Sequence, residues 1–197
     1  MWRASGGDTS LEAGGLSIRD QFLGPSLVRA LADCASCRHT RGDFAAARIG
    51  VGRSLRRRED IRGDSTCWIA PPLFPAEREL LDDLERLRRE LNRDTLLGLF
   101  ELELHYAWYP PGTGYVRHVD QPRGSERRKV SLVLYLNEGW EPDAGGALRI
   151  YDAAASVRDI EPIAGRLVCF LTAEREHEVL PATRERWSIS GWFSTRA

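Results

Sequence analysis

The stretch FELELHYAWYPPGTGYVRHVD, residues 100–120, is where the chain changes its period. From Phe100 to Tyr109 apolar and polar side chains begin to alternate, the pattern of a strand with one buried face. Pro110-Pro111-Gly112 then breaks the pattern, as turn residues do. Beyond that loop stands His118-Val119-Asp120. In extended backbone residues i and i+2 point the same way, so the imidazole and the carboxylate can converge on one point.

Downstream, short strands are expected over 129–136, 147–151, 158–160, 166–171, 178–180 and 186–193, with Gly139 and Gly145-Gly146 in the turns. Upstream the chain is helical. Gly24-Pro25 opens a helix that runs through Cys34 and Cys37, because proline suits the first helical turn. Pro75 opens a second, stronger helix: Leu80, Leu81, Leu84, Leu87 and Leu91 recur at helical spacing, and it ends near Asn92 or Asp94. Leu16–Leu23 reads as a first strand and Ala46–Val51 as a short one. The charged residues 53–66 read as a mobile loop. Helices first and antiparallel strands later predict an α+β, mainly β chain. Its core would be a jelly roll (double-stranded β-helix) at 100–194, with helical support at 17–99. Residues 1–16, rich in Gly and Ser, read as a disordered or weakly ordered lead to a domain at 17–197.

The chain has 197 residues, 42% of them apolar, enough to bury a real core. Its formal charge is −1, from 28 basic and 29 acidic residues, so no global field favours nucleic acid or an anionic membrane. The start MWRASGGDTS lacks the apolar centre of a secretory signal, and no run is long enough to span a bilayer, so a cytoplasmic protein is expected. The cysteines, Cys34, Cys37, Cys67 and Cys169, read as reduced thiols rather than a disulfide framework.

His177 supplies a third donor, at the mouth of a later strand. Two neutral imidazoles and one carboxylate can occupy one face of an octahedral ion and leave three positions open, the ligand set of non-haem Fe(II) oxygenases. An HxD pair alone would be as well explained by a solvated loop histidine beside a turn aspartate. Strand alternation strengthens the metal reading, because it puts Arg186, Ser188, Ser190 and Trp192 on one face of RWSISGWF. A guanidinium at a barrel mouth suits bidentate capture of a carboxylate, and Tyr135 could add a hydroxyl to the same group.

The strings YPPGTGYVRHVD, LYLNEGW, GGALRIY, DIEP, HEVLPATRERW and ISGWF, with an upstream DIRGD, resemble the prolyl hydroxylase family that includes the oxygen-sensing (hypoxia-inducible-factor type) enzymes of animals. The resemblance covers roughly residues 48–193. It implies Fe(II) on His118, Asp120 and His177, with 2-oxoglutarate and O2 as co-substrates and ascorbate as a candidate reductant. Arg186 and Tyr135 would receive the distal carboxylate of 2-oxoglutarate. Tyr109, Val133, Leu148, Val179, Ser190 and Trp192 would wall its pocket. The charged loop falls where the family has a mobile loop that closes over a peptide, which implies that Asp64 pairs with Arg128 on closure and that Arg62 and Trp68 sit near the substrate or the iron site. The implied reaction is C4 hydroxylation of a prolyl residue in a protein, with release of succinate and CO2. Bacterial relatives that act on translation elongation factor Tu make that factor a candidate partner.

Other readings stay open. The same chemistry could act on a free amino acid or another side chain, or the chain could be an oxygen- or iron-responsive binding module. A DNA-demethylating oxygenase would share the triad but call for a basic surface. Cys34-x-x-Cys37 lacks the partner ligands of a zinc site, and His105 reads as packed or surface-facing rather than a ligand.

Overall fold

The structure is a computed structural model that describes residues 11, 15–47, 58, 60–121, 126–151 and 156–196. Its helices are α1 (Pro25–Thr40) and α2 (Pro75–Thr95), each with proline in its first turn. There the missing N–H has no intrahelical partner to lose. On α2 the expected stripe of Leu80, Leu84, Leu87 and Leu91 is almost wholly buried. Each such leucine stabilises the fold by roughly 1.5–3 kcal/mol relative to an exposed one. Leu96 takes the left-handed conformation (φ 56°) and ends the helix just past the expected point.

The strands form two antiparallel sheets. The larger has the order β1 (Leu16–Arg19), β9 (Leu167–Leu171), β6 (Arg128–Tyr135), β11 (Arg186–Ser194), β4 (Glu101–Tyr109), β3 (Ser65–Trp68), β2 (Ala45–Ala46). The smaller has the order β5 (Tyr115–His118), β10 (Glu176–Val179), β7 (Leu148–Tyr151), β8 (Val157–Ile160). Alternation sorts each central strand between two cores. Val130, Leu132 and Leu134 of β6, with Ile189 and Phe193 of β11, pack beneath the leucines of α1 and α2. On the opposite face Tyr109, Tyr135 and Phe170 meet Leu148, Ile150 and Val179 of the smaller sheet. The outcome is the helix-backed two-sheet sandwich that the pattern of strands predicts.

One polar group penetrates the helical core. Glu77, fully buried, accepts two hydrogen bonds from Arg38 of α1 (both 2.9 Å), one from the Tyr106 hydroxyl (3.1 Å) and one from the Phe74 N–H (2.9 Å). It thereby ties α1, α2 and β4 together and satisfies an orphan donor at the start of α2.

Several boundaries differ from expectation. β1 stops at Arg19 rather than Leu23, because Gln21 turns the chain with φ 54°. The second strand is only Ala45–Ala46, and residues 48–51 lie outside the described residues. So do 53–57 and 59 of the charged loop, whose end at Ser65 enters β3. Of the lead, only Leu11, Gly15 and Leu16 are described. β5 was expected to be loop. Its entry requires Gly114, where a Cβ would stand 2.4 Å from the Val179 carbonyl oxygen of β10. No helix among the described residues is long and apolar enough to cross a membrane.

Candidate metal and co-substrate site

β5 and β10 pair with His118 directly opposite His177, and their ring centroids are 4.2 Å apart. Asp120, two residues beyond His118, turns its carboxylate to both rings: 3.4 Å to His118 Nε2 and 3.6 Å to His177 Nε2. The ligand atoms of all three lie within 4.8 Å of one another. Each imidazole is oriented from behind. His118 Nδ1 lies 2.8 Å from the Val116 carbonyl oxygen, and His177 Nδ1 lies 3.1 Å from that of Arg175. Donation from Nδ1–H to a carbonyl selects the tautomer whose Nε2 lone pair faces Asp120, as a metal ligand requires.

Electrostatics support the same state. Burial and the neighbouring His118 hold the His177 imidazole below its ordinary pKa although Asp120 pulls it up, so the ring is neutral. Burial opposes charge on Asp120, but imidazoles that carry a proton on the facing nitrogen outweigh it and hold the carboxyl below the usual carboxylate range, the pull that a cation at the same point would exert. The Trp192 indole N–H pulls the same way without reaching hydrogen-bond geometry. Behind the carboxylate, Ser131 of β6 donates to Asp120 Oδ2 (2.9 Å) and contacts the Thr172 hydroxyl (3.1 Å). This support was missed in the sequence, because nothing in the spacing of residues 120, 131 and 172 brings them together.

The triad opens into a cavity of about 510 Å³, including its open mouth. Tyr109, Val133, Leu148, Val179, Ser190, Trp192 and Arg186, the residues that the resemblance assigns to the co-substrate pocket, all line it. Arg186 is 1% exposed; its Nε donates to the Gly146 carbonyl (2.9 Å) and its Nη1 reaches the Ser188 hydroxyl (3.5 Å). Its guanidinium sits 5.2 Å from the Tyr109 ring and 5.1 Å from the Tyr135 ring. The Tyr135 hydroxyl is buried with no hydrogen-bond partner among the described residues, and burial pushes its pKa up, so it stays a donor. A buried cation and an orphaned hydroxyl at one end, with a facial donor triad beside them, fit an anionic chelating co-substrate and a divalent ion.

The expected substrate residues are arranged differently from the reading of the sequence. Asp64 is held by Arg62 in a bidentate pair (2.6 and 2.9 Å), and Arg62 also stacks 4.7 Å from the Tyr115 ring. Arg128 pairs with Glu103 (3.1 and 2.9 Å) and lies over Trp192. Asp64 and Arg128 each have another partner here, so the pairing expected on closure would require both ion pairs to exchange. Trp68 is 54% exposed and packs on His105. His105 is packed, as expected, but it also lines the cavity. Its place on the same period-two face as Tyr109 was the available signal. The cysteines are free thiols, and no metal-ligand cluster forms at Cys34 and Cys37 among the described residues.

Residues 104–194 match the 2OG-Fe(II) oxygenase superfamily. The chain is 35% identical to human Egl nine homolog 1 over 189 residues, covering 91% of this chain and 43% of that protein. It is 32% identical to mouse prolyl hydroxylase EGLN3, covering 91% and 78% respectively. It spans only 43% of the length of human Egl nine homolog 1 and 55% of the rat protein. In structure it is similar to a prolyl-4-hydroxylase of Pseudomonas putida (TM-score 0.87, 45% identity, 95% and 96% covered). It is also similar to a Trichoplax adhaerens prolyl hydroxylase solved with a hypoxia-inducible-factor peptide fragment (TM-score 0.85, 29% identity, 93% and 85% covered). The sequence, the two-sheet fold and the His–Asp–His geometry agree: the chain belongs to the prolyl hydroxylase family of 2-oxoglutarate/Fe(II) oxygenases.

Proposed function

We propose that the chain hydroxylates C4 of a prolyl residue in a protein substrate, consuming 2-oxoglutarate and O2 and releasing succinate and CO2. The observation that carries this reading is the facial triad standing beside a buried guanidinium with no carboxylate partner among the described residues, in one cavity. His118, Asp120 and His177 would hold Fe(II), and Arg186 with Tyr135 would grip the distal carboxylate of 2-oxoglutarate. The bound iron and co-substrate supply the oxidising power. The chain's own part is placement. Tyr109, Val133, Leu148, Val179 and Trp192 exclude water and fix the co-substrate's path from Arg186 toward the triad, while Ser131 and the two backbone carbonyls keep the ligands aimed.

A macromolecular substrate is supported by Arg62, which lines the cavity and holds Asp64, and by the half-exposed Trp68, which packs on His105 and Trp192 of the cavity wall. On this reading Arg62, Asp64, Trp68 and Arg128 contact the peptide, and the Asp64–Arg128 pairing would need both present ion pairs to exchange. Translation elongation factor Tu is the candidate partner, from the resemblance to bacterial enzymes that act on it. The test is incubation of that factor with protein, Fe(II), 2-oxoglutarate and ascorbate. A prolyl mass gain of about 16 Da (one oxygen atom) matched by equimolar succinate supports the reading. Succinate without any modified proline refutes it.

A further inference from the structure

The cavity wall contains a second unsatisfied polar group, away from the co-substrate end. His105 of β4 is 4% exposed, its Nδ1 is sealed from solvent with no partner, and no hydrogen bond holds Nε2 among the described residues. Stacking alone fixes the ring: Trp192 lies parallel to it at 5.4 Å and Trp68 lies tilted at 5.1 Å. A half-turn about Cβ–Cγ leaves this stack intact and can turn either nitrogen to the cavity. Burial lowers its pKa to about 4, so the imidazole is neutral near pH 7 and offers one donor and one acceptor. A buried ring nitrogen without a partner is a loss to the fold unless something else engages it.

Two candidates for that engagement fail on geometry. The metal is one, because His105 contributes no atom to the converging ligand group. 2-Oxoglutarate is the other. In the β4–β11 pairing Arg186 stands opposite Tyr109, while Ser190 stands opposite His105. The two stations are four residues apart, roughly 13 Å along the strands. A five-carbon diacid spans only about 5 Å between its carboxyl carbons. With its far carboxylate on Arg186 and its near end on the triad, it has no carboxylate left for His105. The imidazole instead lies under Trp68, the aromatic ring that emerges at the surface, so it borders the path into the cavity.

We propose that His105 is a substrate-positioning residue, whose ring nitrogen hydrogen-bonds a backbone amide group of the peptide beside the target proline. The proposal rests on the prolyl hydroxylase reading given above and deepens it. A peptide amide suits the site because it presents both a donor and an acceptor, matching a neutral imidazole in either tautomer. His105 then helps decide which peptides are held in register, separately from the residues that hold the co-substrate.

The test compares His105→Phe, which keeps the stack and removes both nitrogens, with His105→Gln, which restores a donor and an acceptor. The probes are short proline-centred peptides tiled from elongation factor Tu and from the hypoxia-inducible-factor oxygen-degradation domain. Loss of one hydrogen bond predicts roughly a tenfold rise in peptide KM for His105→Phe, with part recovered in His105→Gln. The affinity for 2-oxoglutarate, measured with Mn(II) in place of iron, should not move. The Tm of His105→Phe should equal or exceed that of the wild type, because an unsatisfied buried group has been removed. Unchanged peptide KM in His105→Phe overturns the proposal alone. So does a joint shift of both affinities with a fall in Tm, which marks a structural role. If His105→Phe does not fold, His105→Leu takes its place: a raised peptide KM with unchanged 2-oxoglutarate affinity supports the proposal, and an unchanged peptide KM overturns it. A wild-type protein that binds Mn(II) and 2-oxoglutarate yet modifies none of the peptides overturns the prolyl reading, and this proposal with it.

Discussion

At the scale of single residues, the site divides into groups that bind and groups that aim them. Ser131 is in the second class: its hydroxyl holds Asp120 Oδ2 at 2.9 Å. Ser131→Ala should weaken Mn(II) affinity roughly 10–100-fold in a metal titration, while unchanged affinity would mean the triad aims itself. Arg186 is in the first class. Arg186→Ala should raise the KM for 2-oxoglutarate roughly tenfold to a hundredfold, the size of a charge-assisted pair, and Arg186→Lys should recover part because a point charge lacks the fork. Equal KM values for wild type and Arg186→Ala would remove the role. These differences in kind decided what could be read from the chain. His118 and Asp120 are legible because i, i+2 spacing is local, and Arg186 because strand alternation fixes its face. Ser131 and Thr172 serve Asp120 across strand pairings that no local pattern encodes.

At the scale of elements, both helices and the later strands follow from period and punctuation, but β5 does not. Its four residues sit behind two prolines and two glycines, and it is a strand because β10 accepts it on one edge and residues 61–63 hydrogen-bond it on the other. The cost of missing it is functional, since that pairing is what sets His118 opposite His177. The α1–α2–β4 junction was also hidden, because a glutamate in the first turn of a helix reads as a surface residue. Glu77 is instead fully buried against Arg38 and Tyr106. Removing one partner of such a pair strands the other, so Glu77→Ala should cost about 3–5 kcal/mol in denaturant unfolding. A loss below 1 kcal/mol would show that water replaces the carboxylate.

At the scale of the whole molecule, the fold buries a neutral histidine that the unfolded chain would protonate. His105 has a folded pKa of about 4 against an ordinary 6.5. A lowered folded value means the stabilising contribution is complete above pH 6.5 and is lost as pH falls toward 4. Near pH 5 this amounts to roughly 2 kcal/mol, so the drop in unfolding free energy between pH 7.5 and pH 5 should be that much smaller in His105→Phe than in the wild type. Identical pH profiles would show that the ring is solvated. The same sandwich that seals His105 closes the two sheets over the triad, and the central claim is that this closure makes one metal site with one co-substrate track. Its most direct test is anomalous diffraction from crystals soaked with Mn(II) and 2-oxoglutarate without oxygen. The account predicts one strong peak bonded to His118 Nε2, an Asp120 carboxylate oxygen and His177 Nε2, with a dicarboxylate running from it to Arg186. A peak elsewhere, or a dicarboxylate that leaves Arg186 uncontacted, would contradict it.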